Sequence, residues 1–376
     1  MRRASDAERD RLHRTFAALC RIESPSGRER PCADWLAAEL GAIGVEVHED
    51  GAGAQAEANS GNLLARIPRA GSETVLLCAH MDTVPPRAPI EPVVADGYWE
   101  NANDGILGAD NKAAIAVVVE LVRRLVRSPP PPVGLEALFT VSEENGLRGA
   151  KSFDTRRLRS RFGYVFDHAS PIGDVILASP TYDRIIAEFQ GRAAHAGIRP
   201  EEGRSAIAAA AKAIAAMRLG RLDDETTTNV GTISGGTAAN VVPERCILEA
   251  EVRSVEDGRV EAVVTELVDH LHDAANVAEC DLDVAVERQF GGYRTKRTAP
   301  QVQIAEAALR SCGYEPRPIV TGGGSDANAF EAAGLPCTNL ANGTERNHEP
   351  GERVSVGALE GMFEVAIALL DEAASR

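Results

Sequence analysis

Residues 74–82 read TVLLCAHMD, and residues 108–126 read GADNKAAIAVVVELVRRLV. The first is a short apolar, partly β-branched run that stops at a histidine and an aspartate. The second opens on Gly, Ala and Asp and continues with apolar residues at helical spacing. A buried strand followed by a long helix is the building unit of an α/β sheet covered on both faces. The alternation recurs along the chain. Runs at 135–141, 163–166, 174–178 and 185–189 read as strands, and 205–219, 260–275, 299–310 and 354–373 read as helices. Pro- and Gly-rich connectors at 128–132 and 321–324 divide them.

The middle of the chain has a different order. From 181 to 288 it runs strand, Ala-rich helix, two strands (near 227–234 and 245–254), helix, and a last strand near 282–290. This is the β-α-β-β-α-β order of a ferredoxin-like unit. The expected layout is an α/β domain made of residues 1–180 and 289–376, with a small α+β domain, 181–288, inserted into it. A length of 376 residues suits about two domains at roughly 100–200 residues each.

Composition excludes several partners. Lys plus Arg is 40 against 56 Asp plus Glu, a formal charge of −16. Such a surface does not suit nucleic acid, which needs cations against phosphates, or an anionic membrane. The most apolar run, 113–122, contains Glu120 and is too short to span a bilayer. The seven cysteines are scattered and never spaced CxxC, so neither a disulfide scaffold nor a thiolate zinc site is expected. The polar N-terminus lacks the apolar core of a signal peptide. Reduced thiols in a cytoplasmic protein are the expectation.

Chemistry concentrates where strands end. His80 and Asp82 close the first strand; two residues apart on a strand they share a face, so Asp82 can hold a His80 ring that points into a cleft. A structural histidine would look the same. Asp110 precedes a helix, where it could bind a ligand or serve as an N-cap. Ser142-Glu143-Glu144-Asn145-Gly146 follows LEALFTV. Adjacent carboxylates diverge, so one can ligate while the other stays free as a base; a solvated acidic turn is the plainer reading. Asp167-His168 follows GYVF, and strand alternation allows only one of the two to face a cleft with ease. Gly322-Gly323-Gly324-Ser325-Asp326 could present backbone N–H groups to a substrate anion, but it is neither a P-loop nor a dinucleotide fingerprint. His348 lies in a late Asn-His-Glu-Pro loop. Taken together, two imidazoles and several carboxylates without cysteine suit zinc, cobalt or manganese. His80, Asp110, Glu144, Asp167 and His348 would hold two such ions if one carboxylate bridged them.

In this order HMDTV, GADNKAAI, SEENG, a strand-end Asp and NHEPGE resemble the M20 family of co-catalytic zinc exopeptidases and amidohydrolases, along nearly the whole chain. GRAAHAGIRPEEGRSAI, EVRS and TGGGSDAN are most similar to its peptidase T-like branch. The resemblance implies a three-layer zinc-peptidase-like α/β/α domain with an inserted ferredoxin-like lid, and two divalent ions per subunit. It makes Asp110 the bridge, His80 and Asp167 the ligands of one ion, and Glu144 and His348 those of the other. Glu143 becomes the general base and Asp82 the support of His80. His195 becomes a lid histidine near the scissile carbonyl, Arg253 the partner of a substrate carboxylate, and Asn240 a lid substrate contact, with Gly323, Gly324 and Ser325 in the substrate loop. Relatives more often carry a small residue where His168 stands, which leaves Asp167 and His168 as rivals for one ligand position, with Asp167 favoured. The implied activity is hydrolysis of short peptides, above all tripeptides, from the N-terminus. Other amide hydrolysis in the same family, by an N-acyl amino acid deacylase or a carboxypeptidase, is the alternative. A homodimer through the lid is also implied.

Overall fold

The computed structural model describes residues 3–69, 73–127 and 131–375, so positions 128–130 of the Pro-rich connector lie outside the described residues. The chain divides into two compact units. The larger takes the chain up to Leu177, then Thr295–Ile319 and everything from Ser325 on; the smaller takes Ala178–Arg294 and Val320–Gly324.

In the larger unit TVLLCAH forms the strand Thr74–His80. It lies between Gly134–Thr140 and Gly163–His168, parallel to both. Cys337–Ala341 adds a further parallel neighbour to Gly163–His168. Antiparallel strands extend the sheet: Leu63–Ile67 and then Val47–Glu49 beyond Gly134–Thr140, and Asp174–Ser179 beyond Cys337–Ala341. Residues 75–80 and all of Gly134–Thr140 are buried. Helices cover both faces of such a sheet, which is why these strands read as unbroken apolar runs without alternation. The helix Ala109–Arg127 packs on Thr74–His80 and against the helices Asp6–Cys20 and Val356–Ala374. Leu77, Val117, Phe139, Phe166 and Met362 belong to one continuous core.

A small four-stranded sheet was not foreseen. The hairpin Pro92–Ala95 and Tyr98–Asn101 pairs with Arg353–Ser355, which pairs with Thr344–Glu345. Its last connection, residues 346–352, carries His348.

The smaller unit is an antiparallel sheet in the order Gly220–Asp223, Thr226–Gly235, Arg245–Ser254, Thr181–Gln190, Asp281–Phe290. The helices Ala206–Ala216 and Asp257–Ala278 pack on it and on each other. Thr181–Gln190 alternates buried with half-buried residues, as a sheet with one covered face requires. Its long strands and helices follow the β-α-β-β-α-β order. The short edge strand Gly220–Asp223 is an addition to it. Among the described residues no helix is long and apolar enough to cross a membrane.

Candidate metal centre

Three parallel strands bring their carboxyl ends to one edge of the larger unit's sheet, the usual place for ligands in an α/β fold. His80 closes the first strand. It is in register with Thr140, so Glu143 and Glu144 leave the sheet beside it. Asp167 lies at the end of the third. Asp110 comes from the start of the helix Ala109–Arg127, where Asp110 and Asn111 depart from helical dihedrals. His348 comes from the hairpin loop and takes a left-handed φ of 67°, rare for a residue with a side chain.

These residues converge. His80 Nε2 lies 3.3 Å from Asp110 Oδ1 and 3.6 Å from Asp167 Oδ1. His348 Nε2 lies 2.9 Å from Glu144 Oε1 and 3.4 Å from Asp110 Oδ2. Asp110 therefore turns one oxygen to each imidazole. Ligand atoms of His80, Asp110 and Asp167, and likewise of Asp110, Glu144 and His348, lie within 4.8 Å of one another, as do those of His80, Glu143 and Glu144. His168 enters none of these groups among the described residues. Its Nδ1 lies 2.9 Å from Ser170 Oγ.

The electrostatics of the cluster favour positive charge within it. Burial pushes the Glu143 carboxyl well up, and the charges of Asp167 and Glu144 add to this. Burial and the neighbouring Asp110 push Asp167 up to about 7. Burial works against a charged His80, yet Asp167, Asp110 and Asp82 outweigh it and hold its pKa well above the ordinary value. Hydrogen bonds to Asp110 and Glu144 push His348 up to about 10. Crowded buried carboxylates beside two imidazoles fit divalent ions that accept nitrogen and oxygen donors.

Asp82 does more than expected. Its backbone carbonyl lies 2.9 Å from His80 Nδ1, while its carboxylate is 3.5 Å from the same atom. The proton on Nδ1 is assigned from this contact, which leaves Nε2 as the ring nitrogen that faces the cluster. The carboxylate itself accepts from Ser26 Oγ–H at 2.7 Å and from the backbone N–H groups of Glu143 and Glu144 at 2.9 and 3.1 Å. It anchors the turn that carries both glutamates.

Other supporting residues were missed in the sequence. Buried Glu29 accepts from the N–H groups of Gly27 and Ser142 at 2.8 and 3.0 Å. This holds Ser142 at a φ of 49° just before Glu143. Asn347 Nδ2 donates to Asp110 Oδ2 at 2.8 Å. Such residues sit in loops beside the motifs, and nothing in their spacing names partners so far along the chain.

The remaining expected residues are distributed as follows. His195, Asn240, Arg253, Gly323 and Gly324 belong to the smaller unit, and Ser325 to the larger. His195 and Asn240 are exposed and adjacent: His195 bridges to Val241, and the Ala196 N–H donates to the Asn240 carbonyl at 3.0 Å. Arg253 stacks its guanidinium 4.2 Å from the Tyr182 ring centroid and donates to Glu251 Oε2 at 3.1 Å. Its Nη1 reaches the Gly322 carbonyl at 3.4 Å. The Gly323 N–H is committed to Thr321 Oγ1 at 3.1 Å, and the Ser325 N–H to Asn328 Oδ1 at 3.1 Å. Gly324 is a steric requirement, since a Cβ there would stand 2.2 Å from the Phe290 ring.

Residues 76–372 match the family described as peptidase family M20/M25/M40. The chain belongs to this family. As an M20 peptidase it is a hydrolase. Several relatives match it over nearly the whole chain. The Bacillus subtilis protein YqjE is 35% identical over 97% of this chain and 98% of that protein. A crystal structure of aminopeptidase PepT from Bacillus cereus is 36% identical with a TM-score of 0.85, covering 97% of this chain and 99% of that one. A tripeptidase structure from Staphylococcus aureus is 33% identical with a TM-score of 0.91, covering 98% and 99%.

Proposed function

We propose that this M20 peptidase is a di-metal aminopeptidase that cleaves short peptides, above all tripeptides. One observation carries the reading. Asp110 is shared by two three-residue ligand groups, while Glu143 stands beside both without belonging to either. The likeness to an aminopeptidase and a tripeptidase over nearly the whole chain supports the substrate class.

His80, Asp110 and Asp167 would hold one ion, and Asp110, Glu144 and His348 the other. Zinc is the proposed metal, and cobalt or manganese suits the same donors. When bound, the pair supplies Lewis acidity and makes a water acidic near neutral pH. Glu143 would take a proton from the attacking water and deliver it to the leaving amine. Burial keeps its proton affinity high, which suits a group that must hold a proton between two transfers. Asp82 keeps His80 and the Glu143 turn in place. His195 takes the catalytic role that the resemblance implies, donation to the oxyanion that develops at the scissile carbonyl, and Asn240, Arg253 and the segment 323–325 take the substrate-binding roles. Arg253 supports this part best, because Tyr182 and Glu251 hold its guanidinium in one orientation. Seven free thiols support a reducing compartment, the cytoplasm.

The deciding experiment assays metal-loaded protein against tripeptides, N-blocked peptides and N-acetyl amino acids. Release of the N-terminal residue from free tripeptides is the expected result. Cleavage of N-blocked substrates alone overturns the aminopeptidase reading.

A further inference from the structure

Glu352 is a buried acid beside the centre that no step above uses; it is 1% exposed. Its Oε2 accepts from the N–H groups of Leu107 at 2.8 Å and Gly108 at 2.7 Å, and its Oε1 accepts from the Asp110 N–H at 2.8 Å. Gly108 has a φ of 74°, a conformation that costs a glycine little. With it, three backbone donors converge on one point. A concave run of N–H groups like this is an anion-binding device. Here the anion is the protein's own side chain.

Glu352 sits in the same hairpin loop as His348. Its N–H donates to the Glu349 carbonyl at 3.1 Å, and the Glu349 N–H donates to the Arg346 carbonyl at 3.2 Å. One carboxylate thus fastens the loop that presents Asp110 to the turn that presents His348. Those two residues share a ligand group with Glu144. The other group has supports of its own: the Asp82 carbonyl holds His80 at 2.9 Å, and Asn339 Oδ1 accepts the Asp167 N–H at 3.0 Å.

We propose that Glu352 is a positioning residue for one half of the centre. It sets the placement of Asp110 against His348, and with it the affinity for the ion that Asp110, Glu144 and His348 would hold. The proposal rests on the di-metal reading above and adds an asymmetry to it: loss of Glu352 should cost one ion and not both.

The test needs a control for the general cost of removing a buried carboxylate. Glu136 supplies it. It is also 1% exposed and accepts from Arg66, from the Arg159 and Ser160 N–H groups and from Ser160 Oγ. It lies at the start of Gly134–Thr140, away from the strand ends that carry the centre. Full-length wild type, Glu352→Gln, Glu352→Asp and Glu136→Gln are loaded with zinc and titrated with a competing chelator. Elemental analysis counts the ions, and the absorption of cobalt-loaded protein reports ligand geometry. Wild type is expected to hold two ions. Glu352→Gln should keep one and bind the second at least about 10-fold more weakly, the lower range for loss of a group that orients a ligand. Its cobalt spectrum should change, and kcat should fall more than KM rises. Glu352→Asp, which keeps the charge with a shorter reach, should fall between, and it carries the test if the Gln variant does not fold. Glu136→Gln should lower the melting temperature yet hold two ions. Two ions of unchanged affinity in the folded Glu352 variants overturn the proposal, and so does equal loss in Glu136→Gln. Fewer than two ions in wild type overturns the di-metal reading and takes the proposal with it.

Discussion

Asp82 Oδ1 accepts the backbone N–H of Glu143 at 2.9 Å. The residue behind the proposed ligand His80 therefore also fixes the exit of the strand that delivers the base. Asp82→Ala should have two separable effects. Metal affinity should drop by about 10–100-fold. Independently, the N–H groups of Glu143 and Glu144 lose a buried acceptor, at roughly 1–3 kcal/mol for each group left unpaired, and the turn loosens. Activity measured against rising zinc separates the two. Saturating metal should leave kcat below that of wild type, and full recovery of kcat would confine Asp82 to supporting His80.

Glu143 stands outside both Asp110-centred ligand groups. Glu143→Ala should therefore remove turnover while sparing the ions. The expected loss is about 10²–10⁴-fold, the usual contribution of a positioned acid–base group. Elemental analysis of the purified variant should still find two ions. A variant that has lost one would make Glu143 a ligand, in line with the third group it forms with His80 and Glu144.

Protonation of His348 gives a pH signature to the chelated protein. Asp110 and Glu144 raise its pKa to about 10, against about 6.5 in an unfolded chain. The folded form therefore binds this proton more tightly. The resulting stability is complete below about pH 6.5 and is lost as pH rises through about 10. Metal-free protein should melt at progressively lower temperature across that window. Metal replaces the proton, so loaded protein should lack this decline and zinc affinity should rise with pH over the same range. Calorimetry of chelated and loaded samples checks both, and His348→Ala should flatten the metal-free profile.

Some parts of the molecule were legible in the sequence for physical reasons. A parallel strand buried on both faces must be apolar throughout, so Thr74–His80 and Gly134–Thr140 stood out, and the residues just past their ends followed. Helix Asp6–Cys20 did not stand out, because its polar side chains are satisfied by distant partners: Arg11 pairs with Glu120 at 2.6 Å and Glu8 with Arg124 at 2.8 Å. Asp82 was legible as a support through its spacing from His80, but not as an anchor for Glu143, which joins two strands. Glu29 was invisible for the same reason, and so was the role of Glu352, although that residue closes the NHEPGE segment. A carboxylate that accepts backbone N–H groups leaves no pattern in the side chains of the segment it holds.

Gly149 offers a test of how tightly the Glu143 turn is built. A Cβ there would stand 2.2 Å from the Val141 carbonyl oxygen and 2.6 Å from Asn62 Oδ1. Neither neighbour can yield. The Gly149 N–H already donates to the Val141 carbonyl at 3.0 Å, and Asn62 Oδ1 accepts the Val141 N–H at 3.2 Å while its amide donates to the Gly149 carbonyl at 3.0 Å. Because the clash is with backbone, no rotamer relieves it, and the short helix Arg148–Ser152 must move off the strand exit. Gly149→Ala should cost about 1–3 kcal/mol, the range for overpacking, and should lower kcat because Val141 leads directly into Ser142 and Glu143. Gly41 provides the contrast. It lies near the end of helix Arg30–Ala42 with nothing within 4 Å of an added Cβ. Gly41→Ala should raise stability by up to about 1 kcal/mol through helix propensity and leave kcat unchanged. Thermal melts and steady-state kinetics on both variants decide the matter, and a Gly149→Ala protein of wild-type stability and rate would show that the turn tolerates displacement.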